Sequence, residues 1–198
     1  MHILLRLSFP QNILIFLLLS KKVQIMKKSI LIFIVMILFS SLRAQRNLSV
    51  VPSVDLKRYA GTWYEIARLP FSFESKLKCI TATYSLREDG RITVLNKGHY
   101  ISKPEKINTA KGIAFAPDKN IPAKLKVQFF WPFKGNYWIM HLDKDYKYVL
   151  IGEPSLKYLW ILAREKKLDE STLQMLLNKA ADAGYDMTNL IRTVQDCN

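Results

Sequence analysis

Ten residues near the start of the folded region decide the interpretation of this chain, and they read Gly61-Thr62-Trp63-Tyr64-Glu65-Ile66-Ala67-Arg68-Leu69-Pro70. Trp63, Glu65 and Ala67 fall on one face of an extended chain, which is the two-residue period of a strand. Gly61 allows a sharp bend before the strand. Pro70 ends it, because proline has no N–H for a ladder hydrogen bond. The stretch therefore predicts a strand over residues 62–69.

The first 44 residues have the pattern of an export signal. They contain two apolar runs, Ile3–Leu19 and Ile30–Leu42, and the second run follows Met26 and two lysines. A positive start, a short apolar core and a small residue at the end are typical of a secretory signal peptide. We therefore predict a start at Met26, cleavage after Ala44 and a mature domain over residues 45–198. An uncleaved, membrane-anchored amino terminus is the alternative.

The charge of the predicted mature domain is positive. Residues 45–198 contain 24 basic and 16 acidic residues, a net charge of +8. This balance indicates either a well-charged, soluble surface or a surface attracted to anionic membranes. Nucleic acid is a poor partner, because the lysines are spread along the strands without a basic cluster or a binding motif.

Eight segments downstream of Gly61 have strand character and are separated by short polar turns. The predicted strands are 62–69, 79–87, 91–100, 108–115, 124–131, 136–142, 146–152 and 157–164. Even spacing with no helix between the strands predicts an antiparallel up-and-down sheet. Eight strands can close into a barrel, which removes exposed sheet edges and leaves room for one small ligand. The fold class is therefore an all-β, eight-stranded antiparallel barrel.

One helix is predicted after the eighth strand. Asp169 is a good N-cap, the leucines and alanines at 173, 176, 177 and 180 recur at helical spacing, and Gly184 stops the run. Its single apolar face predicts packing against the outside of the barrel. A last strand is predicted over residues 190–195. With no internal repeat or linker, the chain from residue 45 is expected to form one domain.

No catalytic or metal-binding set is evident in the predicted mature domain. His99 and His141 lie on the third and sixth predicted strands, and the sequence has no nucleophile elbow, phosphate loop or zinc motif. Glu65 shares a face with Trp63, but one carboxylate without a partner does not make a mechanism. We therefore predict a protein that is not an enzyme and has no cofactor. Cys79 and Cys197 are either paired after export or unpaired and buried.

Five segments in order resemble the lipocalin family, in particular the bacterial outer-membrane lipocalins and apolipoprotein D. The segments are Asp55–Arg68, Thr81–Leu86 with Gly90, Ala123–Phe129, Tyr137–Tyr148 and Tyr158–Arg164. One departure is Lys144, where the family commonly has threonine. Many bacterial relatives are anchored through a lipid-attachment cysteine, and none follows either apolar run. We therefore expect an exported protein, periplasmic or associated with the outer membrane, without that cysteine.

The resemblance also implies roles for individual residues. Trp63 and Arg164 are expected to stack at the closed end of the barrel after the bend at Gly61, a structural contact of about 0.5–2 kcal/mol. Cys79 and Cys197 fall where apolipoprotein D has a disulfide.

The ligand of such a barrel is expected to be a fatty acid or a lysophospholipid, bound by a monomer or a homodimer. A lipid-modifying enzyme on the same scaffold and a tetrapyrrole carrier are the alternatives. Membrane-surface contact is a further expectation. The residues that we expect to line the ligand cavity are Val94, Asn96, Val127, Phe129, Trp131, Trp138, Met140, Tyr148 and Trp160. For each of them, ordinary core packing is the competing interpretation.

Overall fold

The computed structural model describes residues 48–197, so the predicted signal peptide, residues 1–44, lies outside the described part. A short helix, α1 (Leu56–Tyr59), precedes the strands, and a longer helix, α2 (Glu170–Asp182), follows the eighth. The strands are β1 (Gly61–Arg68), β2 (Leu77–Leu86), β3 (Ile92–Tyr100), β4 (Lys103–Phe115), β5 (Lys124–Phe130), β6 (Phe133–Leu142), β7 (Tyr148–Gly152), β8 (Leu159–Ala163) and β9 (Ile191–Arg192).

Strands β1 to β8 form a closed antiparallel barrel. Each strand from β2 to β7 pairs with the next in the chain, and β1 closes the sheet by pairing with both β8 and β2. The predicted eight-stranded up-and-down barrel is therefore confirmed. Among the helices of residues 48–197, none combines the length and the apolar character needed to cross a bilayer.

Several predicted strand bounds are wrong at turns. β4 begins at Lys103 instead of residue 108, because Pro104 sits beside a register shift where no ladder N–H is needed. β6 begins at Phe133 instead of residue 136, directly after a tight turn. The last strand covers only Ile191–Arg192 instead of residues 190–195. The Thr193 N–H beyond it still donates to the Ile66 carbonyl.

The face assignment predicted for β1 is also wrong beyond Glu65. The pairing of β1 with β8 shifts register between Glu65 and Ala67, which is a β-bulge at Ile66. Ile66 and Ala67 consequently both pack on the side of α2. Arg68, which simple alternation places opposite Glu65, instead lies 3.2 Å from the Glu65 carboxylate, Nε to Oε1.

The core has two layers, one inside the barrel and one between the barrel and α2. The inner layer contains Trp63 and Leu125, both almost fully buried. The outer layer holds Leu173 and Leu176 of α2 against the sheet. The helix begins where the Asp169 carboxylate accepts a hydrogen bond from the Thr172 N–H, as the sequence predicts.

Arg164 closes one end of the barrel. Its guanidinium carbon lies 3.9 Å from the centroid of the Trp63 ring, so the expected stack is present. Its Nη2 donates to the carbonyls of Arg58, Tyr59 and Ala60 at the end of α1. Gly61 has φ of 98°, and a Cβ there would lie 3.1 Å from Arg164 Nη1. Only glycine fits both constraints.

The carboxyl-terminal tail fills the gap where β1 and β2 separate. These strands pair only from Gly61 to Tyr64. Beyond that point, the Gln195 amide donates to the carbonyls of Glu65 and Ile80, one on each strand. The predicted disulfide between Cys79 and Cys197 is present and holds the tail in this position.

We expect Trp63→Ala to lower the free energy of unfolding by about 3–5 kcal/mol, because it empties a fully buried site and removes the partner of Arg164. Trp131→Ala is the matched control, since 87% of Trp131 is exposed, and its effect is expected to stay within about 0.5 kcal/mol. Urea unfolding followed by circular dichroism measures both. Equal losses for the two variants would contradict the structural role of Trp63.

Candidate functional site

The barrel encloses a cavity of about 770 Å³ that opens at the end opposite Arg164. Five of the predicted ligand-contacting residues line it: Val94, Asn96, Val127, Phe129 and Trp160. They come from β3, β5 and β8, whose inward-facing positions the alternation pattern assigns correctly. The structure thus brings these side chains together in one space, whereas their contact with a ligand stays a prediction.

Four residues that we expected in the cavity lie elsewhere. Trp138, Met140 and Tyr148 pack into the layer beneath α2, and Lys124 Nζ lies 4.3 Å from the Trp138 ring centroid. Trp131 is exposed in the turn between β5 and β6. The placement of these four residues inside the barrel is therefore wrong. Strands β6 and β7 are apolar on both faces because α2 covers their outside, so hydrophobicity alone does not distinguish the two faces.

The floor of the cavity is formed by tyrosines that sequence reasoning missed. Tyr137 OH lies 2.6 Å from Tyr59 OH and 2.9 Å from Tyr84 OH, so the three phenols form a hydrogen-bonded chain. Burial raises the pKa of each phenol, which keeps all three neutral. Tyr84 and Tyr137 line the cavity. Only Tyr84 left a signal in the sequence, because it alternates with polar residues along β2, whereas Tyr137 lies on β6, which is apolar on both faces, and Tyr59 lies on α1.

Asn96 and Asn108 supply two amides to the cavity wall. Asn108 Nδ2 donates to Tyr100 OH at 3.0 Å. Asn96 Oδ1 is buried and accepts no hydrogen bond from residues 48–197. A buried oxygen without a partner costs free energy. Asn96 is therefore a polar site that faces the cavity with unused hydrogen-bonding capacity.

A buried ionic cluster of Glu65, Arg68 and Glu74 stands beside the cavity. The Arg68 Nε atom lies 3.2 Å from Glu65 Oε1 and 3.4 Å from Glu74 Oε2. Trp160 Nε1 donates to Glu74 Oε2 at 3.1 Å, and the Thr193 hydroxyl donates to Glu65. Burial, followed by repulsion from Glu74, raises the pKa of Glu65 to about 8. Glu65 therefore has Arg68, Glu74 and Thr193 as neighbours, and sequence reasoning predicted none of these contacts.

Aromatic side chains surround the open end of the cavity, and we call them the mouth aromatics: Phe71, Phe73, Phe130, Trp131, Phe133 and Tyr158. Phe73 stacks on Phe130 across the mouth, with ring centroids 6.5 Å apart. Phe73 and Phe133 are 70% and 77% exposed. Two lysines, Lys97 and Lys134, also line this cavity and are exposed. The mouth is thus apolar with a basic rim.

The structure does not assemble a catalytic group from the residues considered in the sequence. His141 stacks on Tyr148 at 6.1 Å, in the layer beneath α2, and so is separate from Glu65 in the cavity. Cys79, Asp196 and Cys197 lie close enough together to suggest a metal site. Both sulfur atoms are joined in the disulfide, so neither is a thiolate ligand.

A closed eight-stranded barrel with an apolar internal cavity and a helix on its outside defines a class of proteins that bind small hydrophobic molecules. The model of the lipocalin-like domain family matches residues 54–195. The chain belongs to the lipocalin family, as the resemblance of its motifs predicted.

Two relatives describe its place in that family, and one solved structure shares its fold. The outer membrane lipoprotein Blc of Citrobacter freundii is 42% identical over 152 residues, which covers 77% of this chain and 85% of that protein. Apolipoprotein D of Macaca fascicularis is 35% identical over 154 residues, with 74% and 80% covered. Lobster apocrustacyanin A1 superposes with a TM-score of 0.58 at 18% identity, over 76% of this chain and 93% of that one.

We expect Asn96→Leu to leave the free energy of unfolding unchanged or to raise it by about 1 kcal/mol, because it removes a buried oxygen that lacks a protein partner. Asn108→Leu is the matched control, and it is expected to cost about 1 kcal/mol because it breaks the bond to Tyr100. Chemical denaturation of the ligand-free protein measures both. A larger loss for Asn96→Leu than for Asn108→Leu would show that Asn96 has a structural partner.

Proposed function

We propose that this protein is a non-catalytic carrier of fatty acids or lysophospholipids that serves lipid maintenance in the cell envelope. The observation that supports the proposal most directly is the cavity of about 770 Å³ inside the barrel. This volume lies in the range of small-molecule sites, about 300–1,000 Å³. Each CH₂ group that an acyl chain buries there contributes about 0.8 kcal/mol. A mainly apolar cavity therefore supplies affinity through burial of the acyl chain.

The charges around the cavity favour entry of the acyl chain first. Glu65 and Glu74 stand beside the interior, whereas Lys97 and Lys134 are exposed at the rim. A buried carboxylate on the ligand would meet carboxyl groups inside the barrel, at a cost in desolvation and repulsion. At the rim, the same carboxylate or a phosphate would remain solvated and would lie near ammonium groups. The proposed pose therefore has the chain inside and the anionic head at the mouth.

The mouth aromatics support contact with a lipid surface. Phe73, Phe133 and Trp131 are mostly exposed beside the opening through which a lipid would pass. Exposed apolar patches of this kind mark interaction sites, and aromatic rings partition to the membrane interface. The basic rim would add attraction to anionic lipids. We propose that the mouth docks on a membrane, so that a lipid enters without crossing bulk water.

The proposed location follows from two observations. The sequence pattern of residues 1–44 predicts export, and several of the related proteins are named outer membrane lipoproteins. We therefore propose an exported protein that acts in the periplasm or at the outer membrane. The separation of Glu65 from His141 supports a carrier over a lipid-modifying enzyme.

The carrier function is tested by filling the cavity. Ala110 lines the cavity on β4, and its neighbour Lys111 is exposed and does not. We expect Ala110→Trp to weaken binding of oleate and of lysophosphatidylethanolamine by about tenfold or more, since the indole occupies the volume of several CH₂ groups. Lys111→Trp should bind both lipids as the wild type does. Displacement of a fluorescent fatty acid from the delipidated protein measures the affinities.

Solvent extraction of the purified protein provides the second part of this test. We expect mass spectrometry of the extract to identify acyl lipids in amounts comparable to the protein. A delipidated protein that binds neither lipid, or an Ala110→Trp variant that binds them as tightly as the wild type, would contradict the proposal. A visible absorbance band in the native protein would instead support a tetrapyrrole ligand.

The membrane contact is tested with vesicles that contain phosphatidylglycerol. Because burying one Phe side chain contributes about 1.5–3 kcal/mol, the double variant Phe73→Ser/Phe133→Ser should bind the vesicles at least about tenfold more weakly. Leu86→Ser is the control, because Leu86 is also exposed but lies on β2 at the closed end. Co-sedimentation measures the bound fraction. Equal binding of the vesicles by the wild type and the double variant would contradict the proposed membrane contact through Phe73 and Phe133.

A further inference from the structure

The loop between β1 and β2 turns one of its charged residues into the protein interior. A single 3₁₀ turn, Ser72–Glu74, contains two adjacent residues, Phe73 and Glu74, that differ in solvent exposure. Phe73 is 70% exposed at the mouth, whereas Glu74 is 8% exposed and lines the cavity. Burying a carboxyl group on an exposed loop is costly unless the group has partners. Those partners therefore determine whether the loop stays in place.

Arg68 holds Glu74 by two separate contacts. Its Nη2 donates to the Glu74 backbone carbonyl at 2.8 Å, and its Nε lies 3.4 Å from the Glu74 carboxylate. Arg68 is only 3% exposed and also faces Glu65. One guanidinium thus stands between two carboxyl groups, so the cluster is neutral only when one carboxyl carries a proton. A proton on one of the two carboxyl groups therefore removes the excess negative charge from this buried site.

The same loop covers the opening of the cavity. Phe71 packs edge-on against Trp160 with ring centroids 5.6 Å apart, and Phe73 reaches Phe130 on β5. Glu74 therefore fixes aromatic rings that span the mouth from one wall to the other. Release of Glu74 from Arg68 would free the segment that carries Phe71 and Phe73.

We propose that a proton held by the buried Glu65–Glu74 pair beside Arg68 latches the loop over the cavity mouth, so that the mouth opens and cargo exchanges faster as the pH rises and this proton is lost. The latch regulates the cavity that the proposed carrier function uses, and the cargo measurement below rests on that function. Movement of the loop itself does not depend on it.

The direction of the pH dependence follows from burial. Burial raises the pKa of Glu74, and burial together with Glu74 raises the pKa of Glu65 to about 8. In an open mouth, water would solvate both carboxyl groups and their pKa values would fall. Opening therefore releases a proton, so a rise in pH favours the open form and a fall in pH favours the closed form.

The other groups that face the pair come from four elements. The Trp160 indole N–H donates to Glu74 from β8, and the Thr193 hydroxyl donates to Glu65 from the tail. Tyr84 on β2 is a neutral phenol whose pKa is itself raised. Glu153 follows β7 and lines the same cavity. It is held as a carboxylate by Ser155 and by the Lys157 N–H, which lower its pKa.

The experiment measures dissociation of N-phenyl-1-naphthylamine, a neutral probe, by stopped-flow fluorescence between about pH 6 and pH 9. For the wild type, we expect the dissociation rate to rise by about tenfold across this range. Glu65→Gln keeps a hydrogen-bond donor towards Glu74 and does not ionise, so its rate should stay low and flat. Glu153→Gln is the matched carboxyl control, and it should retain the wild-type pH profile.

Hydrogen exchange of the ligand-free protein gives a second readout that needs no cargo. The Glu74 N–H donates to the Phe71 carbonyl, so opening should expose it. At the alkaline end, we expect residues 71–76 to exchange about tenfold faster in the wild type than in Glu65→Gln, with both compared at the same pH. Equal exchange in the two proteins would overturn the latch.

The outcomes separate the latch from the carrier function. Faster exchange in the wild-type loop without any probe binding would support the latch and contradict the carrier. Probe binding with a pH-independent dissociation rate, together with equal loop exchange in the wild type and Glu65→Gln, would support the carrier and contradict the latch. A Glu153→Gln variant that also loses the pH dependence would show that any cavity carboxyl produces the effect, which overturns the role of the Glu65–Glu74 pair.

Discussion

The rest of the structure depends on the contact between Arg164 and the chain that surrounds Trp63. α1 is only four residues long, and its terminal carbonyls have no partners within so short a helix. Arg164, the residue directly after β8, supplies those partners and covers the Trp63 ring with the same guanidinium. One side chain therefore ties the start of the barrel to its end. Removing it would take a hydrogen bond from three carbonyls and uncover an indole, so its contribution exceeds that of a cation–π pair alone.

The bulge at Ile66 brings charged groups into the otherwise apolar interior of the barrel. Without it, strict alternation would place Arg68 on the side of α2, where a charge would meet leucines. The extra residue turns Arg68 towards Glu65 and leaves Ile66 and Ala67 for the helix layer. Bulges often re-aim a side chain beside a functional site. Here the re-aimed arginine lies within reach of Glu74, so a local change in register positions the loop at the mouth.

Much of the fold could be predicted from the sequence, because strand alternation, turn residues and the Gly61-Thr62-Trp63 bend are local signals. The inward face of β3 and β5 was also readable, since their outer faces are more polar. Trp138, Met140 and Tyr148 were misplaced for a physical reason: α2 makes both faces of β6 and β7 apolar, so the pattern that separates inside from outside disappears. The Glu65–Arg68–Glu74 cluster could not be predicted from the sequence for another reason. It depends on a one-residue register shift and on a loop that folds back, and neither leaves a periodic trace.

The two ends of β1 show why the stability of the fold and the exchange of cargo can depend on different contacts in this barrel. At Trp63, the strand is packed on every side, and the contacts around it involve neutral phenols and a guanidinium that keep their charge states across the physiological pH range. At Arg68, the same strand supports a loop through two buried carboxyl groups, and burial followed by repulsion from Glu74 raises the pKa of Glu65 to about 8. A conformational change that begins at Glu74 needs to break contacts only at the mouth. The Gln195 amide bonds to both β1 and β2, and the disulfide ties the tail that carries Gln195 to β2, so the barrel stays closed while the loop moves.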